Sequence, residues 1–330
     1  MPVEQPTRRR AIAVLAATAA SVAAGGALRA QPDQEWRGFA MGTEAHIVFC
    51  GGARQAVRAA VAAIVDEIER LERALSLFRP DSEIFRLNRS QFLPGPTGDM
   101  RRALGLALAM AQATDGLFDP TVQALWEAHV DWFATASHAG LPPADMIAAA
   151  RARVDWRRIA LAGDAIRLGQ DQRITLNGLG QGYVTDRVAD VLRMRGFSHV
   201  LVDLGEQRAL GPRQDGGPWS IGRADASPFW LRDGALATSE GLGCVIGAAG
   251  AAHHLFDPRT GRSAATWRRI IVHHRSAAVA DALSTALYAA APHEIAPLIG
   301  RIGEGIAVWA LGQDGRERHW TTGGPTGVRV

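Results

Sequence analysis

Arg173-Ile174-Thr175-Leu176-Asn177-Gly178-Leu179-Gly180-Gln181-Gly182 carries a β-branched stretch into three glycines spaced two apart. Residues 173–176 are predicted as a strand, and Gln181 to Arg195, with Gly196 behind it, as a helix. Glycines between a strand and a helix let main chain approach a bound group, and the free N–H groups of a helix start suit a phosphate. No Gly-Lys-Ser/Thr follows, so this is not a P-loop, and the spacing is not that of the dinucleotide fingerprint. A glycine-rich turn with nothing bound explains the residues equally well at this point.

Outward from this turn, Phe39 to Phe49 ends in a β-branched and aromatic run that predicts a strand, and Val57 to Leu77 has apolar residues at helical spacing. That helix stops at Phe78-Arg79-Pro80-Asp81. Arg101 to Thr114 reads as a second amphipathic helix ending at Asp115-Gly116, Val122 to His129 as a third starting near Pro120, and Ala144 to Val154 as a fourth. Residues 159–161 and 165–168, split by Gly163-Asp164, predict a hairpin. Residues 200–204 and 219–222 are further strands. Strands and helices that alternate without a regular repeat predict an α+β layered domain.

Two segments near the C-terminus carry concentrated chemistry. In the alanine-rich run Ala280-Asp281-Ala282-Leu283-Ser284-Thr285, positions four apart share a helix face, so Asp281 and Thr285 offer two oxygens at one spot. Hard oxygens are the donors Mg²⁺ takes. The plainer reading makes Asp281 a helix cap and bonds Thr285 back to a carbonyl one turn earlier. His253-His254-Leu255-Phe256-Asp257-Pro258-Arg259-Thr260-Gly261 holds an imidazole that titrates near neutrality, or else a structural histidine before a tight turn. Ser239 has no glycine two residues before it, so it is not a hydrolase nucleophile elbow.

Composition excludes other chemistry. All 36 basic residues are arginine, which removes Schiff-base and lysine general-base mechanisms. The formal charge of +3 resides in residues 1–30, where Arg8, Arg9, Arg10 and Arg29 stand against Glu4, so the rest of the chain is near neutral and nucleic acid is not an expected partner. Thr7-Arg8-Arg9-Arg10-Ala11-Ile12, an apolar stretch to about Ala24 and small residues to Ala30 predict a twin-arginine export signal over 1–30. An uncleaved inner-membrane anchor is the alternative, although the apolar run is shorter than the roughly 20 residues of a spanning helix. The expected location is the periplasm. Twin-arginine cargo travels folded, often around a flavin or metal. Cys50 and Cys244 are too few for a disulfide framework and leave one bridge open. With 47% hydrophobic residues, residues 31–330 are expected to fold as one compact domain of two joined lobes.

The order of the blocks is more specific than any one of them. Met41-Gly42-Thr43, Ser76-Leu77-Phe78-Arg79-Pro80-Asp81-Ser82-Glu83-Ile84 with Asn88, Thr114-Asp115-Gly116-Leu117-Phe118-Asp119-Pro120-Thr121, Gly178 to Asp186, His254 to Gly261 and Ala280 to Thr285 together resemble the ApbE family of FAD:protein FMN transferases. The resemblance spans about Phe39 to Ala310. It implies an ApbE-like, T-fold-related layered architecture and an enzyme that uses Mg²⁺ and FAD. Such an enzyme cleaves the pyrophosphate, joins FMN by a phosphoester to a threonine or serine of an exported target flavoprotein, and releases AMP.

At matching positions, the resemblance implies FAD contacts by Met41, Phe78, Leu117, Phe118, Asp119, Gln181 and Leu255. It implies metal contacts by the Gly178 carbonyl, Asp281 and Thr285, and His254 is the candidate for general base or for positioning the acceptor hydroxyl. Residues 176–182 and 203–206 resemble a subgroup that includes the accessory flavinylation proteins of nitrous-oxide respiration, and the acceptor stays open between a membrane redox subunit and another flavoprotein. This chain departs from the family pattern in having Phe78 for a tyrosine, Gln181-Gly182 for Lys-Gly, Thr175 for an aspartate, and Gly205-Glu206-Gln207 for Gly-Gly-Glu/Asp. The departures leave two alternatives in play: a Mg²⁺-dependent FAD pyrophosphatase making FMN and AMP, and a non-catalytic flavin-binding maturation protein.

Overall fold

A strand whose two sides are both apolar needs cover on both faces of its sheet, and Trp267–His274 is such a strand. Its Ile270 and Val272 enter one core while Ile271 enters another, the period-two alternation of extended chain. In the computed structural model, which describes residues 14–15, 33–134, 140–222, 227–247, 252–324 and 327–329, this strand lies inside a nine-stranded sheet. The order is Val14–Leu15, Gln34–Ala40, Thr43–Phe49, Val200–Asp203, Gln207–Leu210, Gly234–Glu240, Trp267–His274, Ala307–Gly312 and Glu317–Thr321, every neighbour antiparallel.

Eight α-helices are described: α1 (Arg54–Leu75), α2 (Glu83–Ser90), α3 (Gly98–Ala113), α4 (Gln123–Ala134), α5 (Ala144–Arg151), α6 (Asn177–Met194), α7 (Ala277–Tyr288) and α8 (Pro292–Ile302). The apolar stripe of α1, Val57-Val61-Ile64-Ile68-Leu71-Leu75, is buried along its length. It shares the main core with Leu104 of α3, Val184 of α6, Leu283 of α7, and Ile47, Val202 and Ile270 of the sheet. On the other face, a small sheet of Trp219–Ile221, Phe229–Leu231 and Val328–Arg329 packs Trp219, Phe229 and Val328 against Ile271 and Trp309. A third cluster joins Leu125 and Ala128 of α4 and Ala150 of α5 to Ile246, Ala252 and Phe256. It seats the His253–His254 segment on the α4–α5 lobe.

Three sequence expectations are corrected. Residues 173–176 do not form a strand. Ile174 instead exchanges both main-chain bonds with the Asn88 carboxamide, at 2.8 Å each, and the Thr175 N–H donates to the Pro120 carbonyl at 2.8 Å, so side-chain and loop partners replace a ladder. The following helix starts at Asn177 rather than Gln181, so Gly178, Gly180 and Gly182 build its first turns. Phe39 to Phe49 is not one strand but the end of one and the whole of the next. Met41 (φ 50°) and Gly42 (φ 83°) turn the chain between them, the positive-φ pair of a tight hairpin turn. Cys50 is buried and Cys244 exposed, both as free thiols. The leader lies outside the described residues except for Val14–Leu15, which pairs with Trp36 and Glu35. Among the described residues, no helix is long and apolar enough to cross a membrane.

The tightest crossing joins α6 to α7. A β-carbon on Gly182 would collide with the Ala277 carbonyl oxygen and sit 2.8 Å from the Ala278 Cα, so only glycine admits this approach. Each helix then offers a carboxylate to the main chain of the other. Asp281 of α7 accepts from the Gly182 N–H at 3.0 Å, and Asp186 of α6 accepts from Ala277 N at 2.9 Å, Ala278 N at 3.2 Å and Ser276 Oγ at 2.6 Å. Arg208 in turn holds Asp186.

Gly182→Ala tests this contact by sign. Helix propensity favours alanine by about 1 kcal/mol, whereas an overpacked crossing costs about 1–3 kcal/mol. Urea unfolding is expected to show net destabilisation, and an equally or more stable variant contradicts the packing described.

Candidate active site

The first turn of α6 is the floor of the site. Its glycines leave three surfaces bare, and three different elements cover them. Over Gly178, the space of a β-carbon lies 3.1 Å from Thr285 Oγ1 and 3.2 Å from Phe118 Cε2. Over Gly180, the methyl of Met41 sits 3.6 Å from the same construction. The Gln181 carboxamide lies against Gly205 (φ 103°), and its Nε2 donates to Thr43 Oγ1 at 3.3 Å. Met41, Phe118, Gly178, Gln181, Asp281 and Thr285, scattered over the sequence, thus converge on one helix start.

Each arrives for a local reason. Met41 crowns the hairpin turn, where Glu72 of α1 accepts its N–H at 2.8 Å. Phe118 is aimed by Thr114, whose Oγ1 donates to the Met110 carbonyl and accepts from Phe118 N at 3.0 Å. Leu117 and Phe118 are buried beside it. The Asp119 carboxylate caps the turn at Pro120–Val122, accepting from Thr121 N at 2.8 Å, Thr121 Oγ1 at 2.6 Å and Trp156 N at 3.2 Å. Burial raises its pKa against those three bonds. Phe78 differs: it is 80% exposed on the loop after α1. That loop is tied down where Arg79 meets Glu69 at 3.0 Å and Glu72 at 3.8 Å, next to the Met41 turn.

Asp281 sits 5% exposed on α7. Burial pushes its carboxyl up to about 7, with the Gly182 N–H pulling the other way. In a regular helix the Gly182 N–H belongs to the Gly178 carbonyl; the Asp281 carboxylate competes for it and thereby leaves that carbonyl freer to bind elsewhere. Thr285 Oγ1 makes no hydrogen bond among the described residues. The one-turn back-bond is therefore not made, and the Asp281 carbonyl accepts instead from Ser284 Oγ at 2.9 Å. Ser284 also bonds Ser239 Oγ at 2.8 Å, which fixes α7 to the Gly234–Glu240 strand and gives Ser239 a packing role.

Sequence reasoning missed Glu206 as part of this site. It is 5% exposed, and its carboxyl is raised well above the usual range, first by burial and then by the Asp281 charge, against one N–H from Thr238 at 3.2 Å. Its place in a glycine turn was visible in the sequence; its burial beside Asp281 was not. No arginine or histidine among the described residues pairs with either acid, so two buried carboxyls, close enough for the Asp281 charge to act on Glu206, have one main-chain N–H each. Hard oxygens from Gly178, Asp281 and Thr285, excess negative charge and an adjacent helix start fit a small divalent cation shared with a phosphate. Among the described residues no group of three or more His, Cys, Asp or Glu gathers as a metal centre, at this position or elsewhere.

The two histidines are resolved by their bonds. His253 Nδ1 accepts from Leu255 N at 3.3 Å, and its Nε2 lies 2.9 Å from the Ala264 carbonyl, so both nitrogens are used and the ring is a neutral structural piece set edge-on to Tyr288. His254 bonds the Cys244 carbonyl through Nδ1 at 3.1 Å, which makes Nδ1 the donor and leaves Nε2 able to accept a proton. Burial lowers its pKa against the Cys244 bond. Leu255 is buried in the main core, and Tyr288 stands one turn beyond Thr285 on α7, which places the histidine pair beside the same helix.

The family model described as "ApbE family" matches residues 41–309. The chain belongs to the ApbE family. Its ApbE relatives include the FAD:protein FMN transferase of Escherichia coli strain K12, 25% identical over 273 residues and 76% of each chain. That of Klebsiella pneumoniae strain 342 is 26% identical over 284 residues, 79% of this chain and 78% of the other. The crystal structure of the ApbE protein from Thermotoga maritima is similar at TM-score 0.75 and 25% identity, covering 86% of this chain and 96% of that one. The ApbE fold agrees with the α+β layers described above.

The buried acid gives a pH prediction for cation-free protein. A carboxyl raised from its ordinary 3.8 to about 7 on folding contributes stability that is full below 3.8 and lost as pH rises toward 7. In chelator-treated buffer, wild type is expected to lose stability relative to Asp281→Asn as pH increases through this window. Parallel stability profiles for the two proteins contradict it.

Proposed function

We propose that this chain is an exported FAD:protein FMN transferase that requires Mg²⁺, attaches FMN through a phosphoester to a threonine or serine of a target flavoprotein, and releases AMP. The packing of Asp281 against Gly182 and of Thr285 against Gly178 at a glycine-built helix start carries this reading, and the transferase names of the relatives support it. Export by the twin-arginine route is supported by Arg8–Arg10 and the apolar stretch after them. The acceptor is then an exported flavoprotein, with a membrane redox subunit among the candidates.

The chain's residues divide the work as follows. Asp281, Thr285 and the Gly178 carbonyl would hold Mg²⁺, which supplies charge neutralisation to a pyrophosphate. The start of α6 would attract the phosphate oxygens through the field of the helix, its Asn177, Leu179 and Gly180 N–H groups being bonded within the chain. Met41 and Phe118 present apolar surface above that turn, and exposed Phe78 offers a ring that can stack on a planar heterocycle. Gln181, held by Thr43, orients a neutral amide donor where a lysine would bring charge. His254, steadied through Nδ1, takes the proton of the acceptor hydroxyl at Nε2 as its oxygen attacks phosphorus and the bond to the AMP phosphate breaks.

The test mixes purified protein, FAD, Mg²⁺ and a candidate acceptor, then seeks flavin fluorescence on denatured acceptor. His254→Ala is expected to slow transfer by about 10²–10⁴-fold, as for loss of a general base, with FAD still bound. Full-rate transfer by that variant removes the assignment. Free FMN without labelled acceptor identifies a pyrophosphatase, and intact FAD a binding protein. Because burial lowers the His254 pKa below its ordinary 6.5, the acid limb of the pH–rate profile is expected to have its midpoint below 6.5; a midpoint above 6.5 contradicts the assigned environment.

A further inference from the structure

Glu206 is the least explained charge in the molecule. It stands in the turn between Val200–Asp203 and Gln207–Leu210, where Asp203 Oδ1 accepts from Gly205 N at 3.2 Å and Asp203 Oδ2 from Gln207 Nε2 at 3.2 Å. The Gly234–Glu240 strand pairs with Gln207–Leu210 only from Gly234 to Leu236. Beyond that point the neighbouring chain turns away, and the Thr238 N–H that would have met it donates to Glu206 Oε2 at 3.2 Å. Closing a ladder needs only an acceptor, which an uncharged glutamine supplies as well. A carboxylate 5% exposed, with one N–H and no cationic partner among the described residues, is a costly way to fill that gap.

Its surroundings supply a use for the charge. On one side Gly205 is pressed against Gln181 of α6. On the other, Ser239, the residue after Thr238, bonds Ser284, which bonds the Asp281 carbonyl. The Glu206 turn is thus tied to both helices that frame the Gly178–Asp281–Thr285 oxygens. We propose that Glu206 is a positioning residue of the cation site: with Asp281 it supplies the second buried negative charge that holds the divalent cation against the α6 helix start. The inference rests on the Mg²⁺ reading above. It explains why the turn keeps an acid where a neutral acceptor closes the sheet equally well.

Charge and hydrogen bond separate in two variants. Glu206→Gln keeps an acceptor for Thr238 and loses the charge; Glu206→Asp keeps the charge and, one methylene shorter, loses the bond. Full-length protein saturated with FAD would be titrated with MgCl₂ in a calorimeter, with melting temperature in chelator-treated buffer recorded alongside. Glu206→Gln is expected to bind Mg²⁺ about 10–100-fold more weakly, the usual effect of removing a group that supports metal ligands, while melting no lower than wild type without metal. Glu206→Asp is expected to retain near wild-type affinity for Mg²⁺ even if its melting temperature drops. Wild-type affinity in Glu206→Gln overturns the proposal and leaves Glu206 as ladder filler; lost affinity in a folded Glu206→Asp overturns it also. If Glu206→Gln fails to fold, Glu206→Met, of similar size and without charge, is titrated in its place, and wild-type affinity there overturns the proposal. Absence of Mg²⁺ binding by wild type is a different result, which overturns the cation reading itself and this inference with it.

Discussion

The contact between Gly182 and the start of α7 is the constraint on which the site depends. Two helices meet there at a distance that only a missing side chain allows, and their main chains come within reach of one another's carboxylates. Asp186 neutralises the N-terminal N–H groups of α7 as a helix start requires. Asp281 does something less ordinary, reaching into the first turns of α6 to compete for an N–H already spoken for. This exchange fixes the rotation of α7, and rotation decides that Thr285, one turn on, faces Gly178 rather than the sheet. The sheet contributes by holding α7 through Ser239 and Ser284 on one side and through Trp267 Nε1, which donates to the Ala290 carbonyl at 2.8 Å, near its end.

Such an arrangement trades stability for binding capacity. Burying Asp281 and Glu206 together without a positive partner raises both carboxyls, and a core built for stability alone would place apolar residues there. On the function proposed above, the cost is concentrated where an incoming cation and phosphate would offset it. The rest of the molecule, with apolar clusters on both faces of a nine-stranded antiparallel sheet, supplies the margin. The histidine segment bridges two cores: Ala252 and Phe256 pack with α4 and α5, while Leu255 enters the main core and His253 lies edge-on to Tyr288 of α7.

Much of this was legible in the residues. The apolar period of α1, the turn at Gly163-Asp164 and the four-residue spacing of Asp281 and Thr285 each reflect local geometry that a sequence displays. The order of six short blocks led to the family. Misreadings arose where partners are distant: Arg173 to Leu176 has strand-like residues, yet its main-chain bonds go to Asn88 and Pro120. Three glycines argued against helix, but the α6–α7 crossing requires small residues and overrides their low propensity. Adjacent His253 and His254 could be told apart only by their partners, and the burial of Glu206 comes from a strand about thirty residues away in sequence.

The central claim is that oxygens of α6 and α7 together hold a divalent cation beside bound FAD. Crystals grown with FAD and Mn²⁺ in place of Mg²⁺, measured for manganese anomalous scattering, address it most directly. The account predicts an anomalous peak within coordination distance of Asp281, Thr285 Oγ1 and the Gly178 carbonyl, in contact with the FAD pyrophosphate. A peak elsewhere, or bound FAD with no manganese between those oxygens and its phosphates, contradicts it.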